Sequence, residues 1–251
     1  MSLSVTGKPH LLDVLRSSSA ARTCLKNYQA DWERARQASS NSTPRNLYMD
    51  ENGGLTPSHS LCGIFYLPPG EVKDLAIEVQ HELTDLFPSQ TLYLNPAEHL
   101  HITGLVYRDL SLQPYPAEDI QNFSVWADYI ALLCQGLPAP RFSVYGVNLT
   151  AQGILYAKCY PHTDDFQNIR DEAQKLFPET RYKDIFNLSL GWLYHGLEPE
   201  AYQAAVAKIG ERFLDRHLGT VQFDLLSMMN LNVRGLIASG ELVREIQFLI
   251  Q

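Results

Sequence analysis

The chain has 251 residues, 45% of them hydrophobic, enough for one large domain or two small ones with a sizeable core. Its 20 Lys and Arg against 28 Asp and Glu give a formal net charge of −8. That balance argues against a broad electrostatic grip on nucleic acid or an anionic membrane, and leaves any anionic ligand to be held by a local pocket.

Residues 1–50 read as a helical N-terminal arm. Leu11, Leu12, Leu15, Leu25, Tyr28 and Trp32 recur at near-helical spacing before the polar stretch ASSNSTPRN, which reads as a loop. Asp13 and Arg16 interrupt the apolar patch at the start, so no secretion signal is expected. No apolar run reaches the roughly 18 residues of a membrane span, and the expected location is cytoplasmic. Residues 51–251 read as a single bilobal domain. LCGIFYLPPG (61–70) is a short buried strand stopped by Pro68, Pro69 and Gly70. EVKDLAIEVQHELTDLF follows as a helix with Val72, Leu75, Val79, Leu83 and Leu86 on one face and His81 among its polar positions.

HLHITGLVY (99–107) alternates: His99, His101 and Thr103 face one way, Leu100, Ile102 and Gly104 the other. One face is apolar and the other can do chemistry. A second helix, AEDIQNFSVWADYIALLCQG, carries Ile120, Phe123, Trp126, Ile130 and Leu133 as a core-facing stripe. RFSVYGVNL and GILYAKCY form a hairpin around a turn at Thr150 to Gly153, and FQNIRDEAQKLF is the next helix; Thr163 or Asp164 resembles its N-cap, which leaves His162 in a loop. DIFNLSLGWLYHGL reads as a strand and EPEAYQAAVAKIGERFLDRHLG as a helix, with VQFDLLSMMNLNV and ELVREIQFLI as closing strands. The order, with hairpins as well as crossovers, predicts an α+β fold. Cys24, Cys62, Cys134 and Cys159 are far apart and show no metal or disulfide spacing, so they read as reduced, buried thiols. Neither a metal nor a cofactor is expected.

The chain repeats itself. One helix ends in LFP at Leu86 to Pro88 and is followed by His101-Ile102-Thr103-Gly104; another ends in LFP at Leu176 to Pro178 and is followed by Asn187-Leu188-Ser189-Leu190-Gly191. A duplicated helix–strand unit can set equivalent strands side by side about a pseudo-twofold axis, with both polar pairs facing one cleft.

HITG and NLSLGW, in that context, resemble the two H-x-T/S motifs of the 2H phosphoesterase superfamily, the LigT-like enzymes, over roughly residues 55–250. The resemblance implies two pseudo-symmetric lobes of mostly antiparallel sheet with outer helices around a central cleft. It also implies metal-independent chemistry on a small nucleotide-like or cyclic phosphate, or an RNA end. His101 would be one acid–base residue, since imidazole is accessible in both protonation states near neutral pH, and Thr103 and Ser189 would donate hydrogen bonds to phosphate oxygens. Asn187 stands where the second histidine is expected, and an amide cannot exchange a proton near neutral pH.

Three accounts of Asn187 stay open. The chain runs on His101 alone, with Asn187 stabilising developing charge; or it recruits His99 or His195; or Asn187 is an inactivating replacement that keeps the shape of His. The function expected is metal-independent phosphoester chemistry through His101; the alternatives are a degenerate fold that binds a small ligand without turnover and an enzyme that reuses the cleft for non-phosphate acid–base chemistry. Tyr145, Tyr182, Trp192 and Tyr194 are candidates to stack a base, and Arg108, Arg141 and Arg181 to pair with phosphate.

Overall fold

The apolar spacings become helices and strands in a computed structural model that describes residues 9–38, 58–87, 91–178, 180, 185–193, 198–234 and 237–250. The arm is two helices, α1 (Pro9–Ser17) and α2 (Ser19–Ala38), broken at Ser18. Then come β1 (Ser58–Tyr66), α3 (Glu71–Thr84), β2 (Leu92–Leu94), β3 (His101–Ser111), α4 (Ala117–Cys134), β4 (Arg141–Leu149) and β5 (Ile154–Pro161). α5 (Asp165–Leu176), β6 (Phe186–Leu193), α6 (Pro199–Arg212), β7 (His217–Gln222), β8 (Leu225–Arg234) and β9 (Ile237–Gln247) complete the order.

The strands form one sheet in the order β7-β4-β5-β6-β3-β1-β8-β9, with β2 also paired to β6 and every strand pair antiparallel. The centre of this sheet is its narrowest join: β3 and β6 share the single pair Ile102 and Leu188. Four strands of this order lie on each side, with β2 a fifth on the β6 side. In one half the chain runs β1, α3, then back as β3 beside β1; in the other it runs β5, α5, then back as β6 beside β5. The repeat in the sequence is therefore a repeated strand–helix–strand unit whose returning strands meet at the seam. The fold is α+β, as the element order predicted.

Phe65, Phe142, Phe166, Phe186, Phe223 and Phe248 form an aromatic core on one face of the sheet. Trp126 and Phe123 of α4 are fully buried against Tyr107, so packing accounts for that stripe. All four cysteines are free and buried, and among the described residues no helix is long and apolar enough to cross a membrane.

Three local expectations are corrected. The segment VQFDLLSMMNLNV is not one strand. Its two parts pair with different neighbours, β7 with β4 and β8 with β1, so the chain must part at Phe223 and Asp224. His217 to Gly219, read as the end of a helix, already belong to β7. His99 is not on the strand: it closes a single 3₁₀ turn, Ala97–His99, whose last amide donates to the Pro96 carbonyl at 2.9 Å. Asp164 does take the N-cap position of α5, as expected, but without a side-chain capping bond there; its carboxylate caps α2 instead. It accepts from the Ser18 hydroxyl (2.8 Å), the Ser19 hydroxyl (2.7 Å) and the amides of Ser19 and Ala20 (3.2 and 2.9 Å). A carboxylate suits the unpaired N–H groups and positive dipole end of a helix.

Candidate functional site

Antiparallel pairing of Ile102 with Leu188, continued one residue each way, sets His101 opposite Ser189 and Thr103 opposite Asn187. Ile102 and Leu188 are fully buried on the aromatic-core side, so these four alternate residues share the other face. In such a ladder directly opposed residues lie about 5 Å apart and diagonal ones about 7–8 Å.

His101 is oriented by its own strand entry. Its Nδ1 lies 2.7 Å from the His99 carbonyl oxygen, which can only accept, so the proton sits on Nδ1 and the Nε2 lone pair is left open. Burial lowers the pKa of His101; the bond to the His99 carbonyl opposes that and the nearby His99 ring adds to it. The neutral imidazole is the resting form near pH 7. Tyr66 is its register partner on β1, with ring centroids 6.2 Å apart.

Opposite, neither Asn187 nor Thr103 makes a side-chain hydrogen bond to another described residue, and the buried Ser189 hydroxyl has no partner at all among them. A buried hydroxyl without a partner costs about 1–3 kcal/mol and calls for an explanation.

Behind the four side chains is a support that sequence reasoning missed. Asn95 donates to the Ser189 carbonyl (2.8 Å), and Gln80 of α3 donates to the carbonyls of Leu190 (2.7 Å) and Asn95 (2.8 Å). Arg170 of α5, 3% exposed, crosses the seam: it donates to the carbonyls of Gly104 (2.7 Å), Thr103 (3.3 Å) and Ile185 (3.4 Å) with its guanidinium over the Phe186 ring. Asn95 alone left a sequence signal, as the Asn-Pro just before the first motif. The others are contacts between segments far apart in the chain.

Other candidates lie elsewhere. Arg108 pairs with Asp119 at 3.1 Å, and Arg141 is exposed at the outer end of β4. His81 is exposed on α3. His162 Nε2 meets the buried Ser143 hydroxyl at 2.9 Å, and Tyr145 stacks on His217. Trp192 lies near the end of β6 opposite Tyr93. Arg181, Tyr182, Tyr194 and His195 fall outside the described residues. A cavity of about 990 Å³ opens between α2 and α6, lined by Tyr28, Trp32, Lys158 and Tyr160 among others, and by none of the four motif side chains. Among the described residues no group of three or more His, Cys, Asp or Glu could hold a metal ion.

No protein-family model matches the sequence, and no curated protein matches it. Solved structures do match. The conserved protein of unknown function ATU0111 from Agrobacterium tumefaciens C58 aligns at 16% identity and TM-score 0.55, over 81% of this chain and 94% of that one. TT0787 of Thermus thermophilus aligns at 14% and 0.53, over 76% and 99%. E. coli LigT, complexed with 3′-AMP, aligns at 10% and 0.45, over 76% and 98%. The chain shares its overall fold with the first two of these structures. At these identities the likeness is one of fold, and each alignment leaves part of this chain uncovered. What the chain does must be argued from its own side chains.

Proposed function

We propose that the chain binds a small nucleotide-like or cyclic phosphate at the seam and opens the phosphoester by acid–base chemistry at His101. The supporting observation is the placement of His101, Thr103, Asn187 and Ser189 on one face of β3 and β6, with the His101 Nδ1 proton committed to the His99 carbonyl. Thr103 and Ser189 hydroxyls donate to phosphate oxygens; a ligand oxygen is the partner that the buried Ser189 hydroxyl lacks. The Asn187 amide donates to a third oxygen as negative charge develops.

In hydrolysis, His101 Nε2 takes a proton from water as the water oxygen bonds to phosphorus. The phosphorus–oxygen bond to the leaving group then breaks. The leaving oxygen is protonated from solvent, because Asn187 has no proton to exchange, and His101 returns its own proton to solvent. A positioned base contributes roughly 10²- to 10⁴-fold, and the matching factor from a second histidine is forgone. Asn187 also favours a second reading, in which the seam binds the phosphate without turnover. An RNA end would present the same phosphate on a larger polyanion, which the net charge of −8 disfavours.

The test uses adenosine 2′,3′-cyclic phosphate with the parent chain and His101→Ala. Turnover that falls by about 10²-fold or more in the variant, and is unchanged by EDTA, supports the hydrolase. Binding without turnover, weakened by Thr103→Ala, supports the second reading. Neither binding nor turnover overturns both.

A further inference from the structure

The arm lies outside the duplicated pattern, yet it packs on the same face of the sheet as the four motif side chains. Lys158 of β5 is the register partner of Asn187, and Tyr156 that of Ser189. Over these strands lies α2: the Tyr28 ring packs on Tyr156 and Tyr160 with centroids 5.9 and 5.3 Å apart, and the Tyr156 hydroxyl donates to Asp31 at 2.9 Å. Asn148 ties the two together, donating to the Tyr28 carbonyl (2.9 Å) and the Tyr156 hydroxyl (2.7 Å).

The tip of Tyr28 reaches the backbone beside Asn187. Its hydroxyl, with the residue 2% exposed, lies within hydrogen-bond reach of all four polar groups of the facing pair Cys159 and Phe186. The amides of Cys159 and Phe186 donate to it at 3.1 and 3.3 Å, while the carbonyls of Cys159 (2.8 Å) and Phe186 compete for its single proton. A hydroxyl accepts twice and donates once, so one side chain from the arm serves the ladder at the residue before Asn187. Burial, the largest influence, and neighbouring thiols and tyrosines push this hydroxyl far above the usual tyrosine range. It keeps its proton and does not act as an acid.

We infer that Tyr28 is a positioning residue for Asn187: by bridging β5 and β6 at Cys159 and Phe186, the arm fixes where the Asn187 amide stands opposite Thr103. This makes the arm a working part of the site, and it rests on the reading of the seam as a phosphate site. Displacing one group of such a constellation by about 1 Å can cost as much as 10²-fold.

The experiment compares Tyr28→Phe, which keeps the ring and removes the hydroxyl, with Tyr202→Phe. The Tyr202 hydroxyl of α6 holds the same arm by donating to the Ala35 carbonyl at 3.4 Å. Tyr28→Phe is expected to shift the Asn187 side-chain amide resonances in NMR and to weaken adenosine 2′,3′-cyclic phosphate binding about tenfold; Tyr202→Phe does neither, even where both lower the melting temperature. Unmoved Asn187 resonances in folded Tyr28→Phe overturn the inference. A parent chain that binds no ligand overturns the phosphate reading instead, and the resonances still decide the role of Tyr28. Should Tyr28→Phe not fold, hydrogen exchange on the parent decides. The Phe186 amide must open together with the α2 amides around Tyr28, and protection outlasting the opening of α2 overturns it.

Discussion

On the β3 side of the seam, His101 is held by a carbonyl two residues earlier and stands beside Tyr66; the same sheet face continues into a small apolar cluster of Cys62, Ile64, Met229 and Leu231. On the β6 side, the Asn187 side chain makes no hydrogen bond to another described residue: its strand is positioned by Tyr28 of the arm, by Arg170 of α5 and by Asn95 and Gln80 of the other half. Duplication has fixed where the two polar pairs stand, and the residues placed there decide the chemistry separately in each half.

The motif glycines offer the sharpest way to break the comparison. A Cβ on Gly191 would fall 2.2 Å from the Tyr93 carbonyl oxygen, fixed backbone of β2, whereas one on Gly104 would meet ring carbons of Phe65 at 2.8 Å and Phe166 at 3.2 Å, which can shift. Gly191→Ala is expected to cost about 3 kcal/mol or more and Gly104→Ala about 1–3 kcal/mol in urea unfolding. Equal costs would mean that the two halves are equally tight. Arg170→Met leaves the carbonyls of Gly104, Thr103 and Ile185 short of a donor across the seam, and about 2–3 kcal/mol is expected to be lost.

Smaller effects follow from pH. His101 titrates lower in the folded chain than the value of about 6.5 of an unfolded one. The unfolded state therefore binds more protons as pH falls below about 6.5, and stability declines until the folded ring protonates too. His101→Asn should flatten that decline. Asp164 has the opposite sense. Partial burial alone would raise its pKa, but the Ala20 amide, the Ser19 and Ser18 hydroxyls and the Ser19 amide outweigh it and hold the carboxyl down to about 2. Its contribution is complete above about pH 4, the unfolded value, and is lost as pH falls through 2. Asp164→Asn should remove that acid limb from a melting series, with the arm the first part to lose amide protection.

Much of the scaffold was legible because it depends on local pattern: Val72, Val79 and Leu83 on α3, Phe123, Trp126 and Ile130 on α4, and the alternation from His101 to Thr103. The β2 strand was not, since Leu92–Leu94 is three residues long and owes its conformation to β6. Nor was the turn at His99, where the alternation of side chains continues in sequence after the strand geometry has stopped. The support behind the motifs was invisible for a different reason. Gln80 and Leu190 are 110 residues apart, Tyr28 and Phe186 are 158 apart, and each looks like an ordinary helical residue until the fold brings its partner to it.

The central claim of the proposed function is that His101 and Asn187 face one phosphate at the seam, and Asn187→His tests it most directly. The variant places a proton-transfer group diagonally opposite His101, and hydrolysis of adenosine 2′,3′-cyclic phosphate should rise by about 10²-fold or more, with the gain abolished by His101→Ala. No rise in a variant that is folded and still binds the phosphate would contradict the claim.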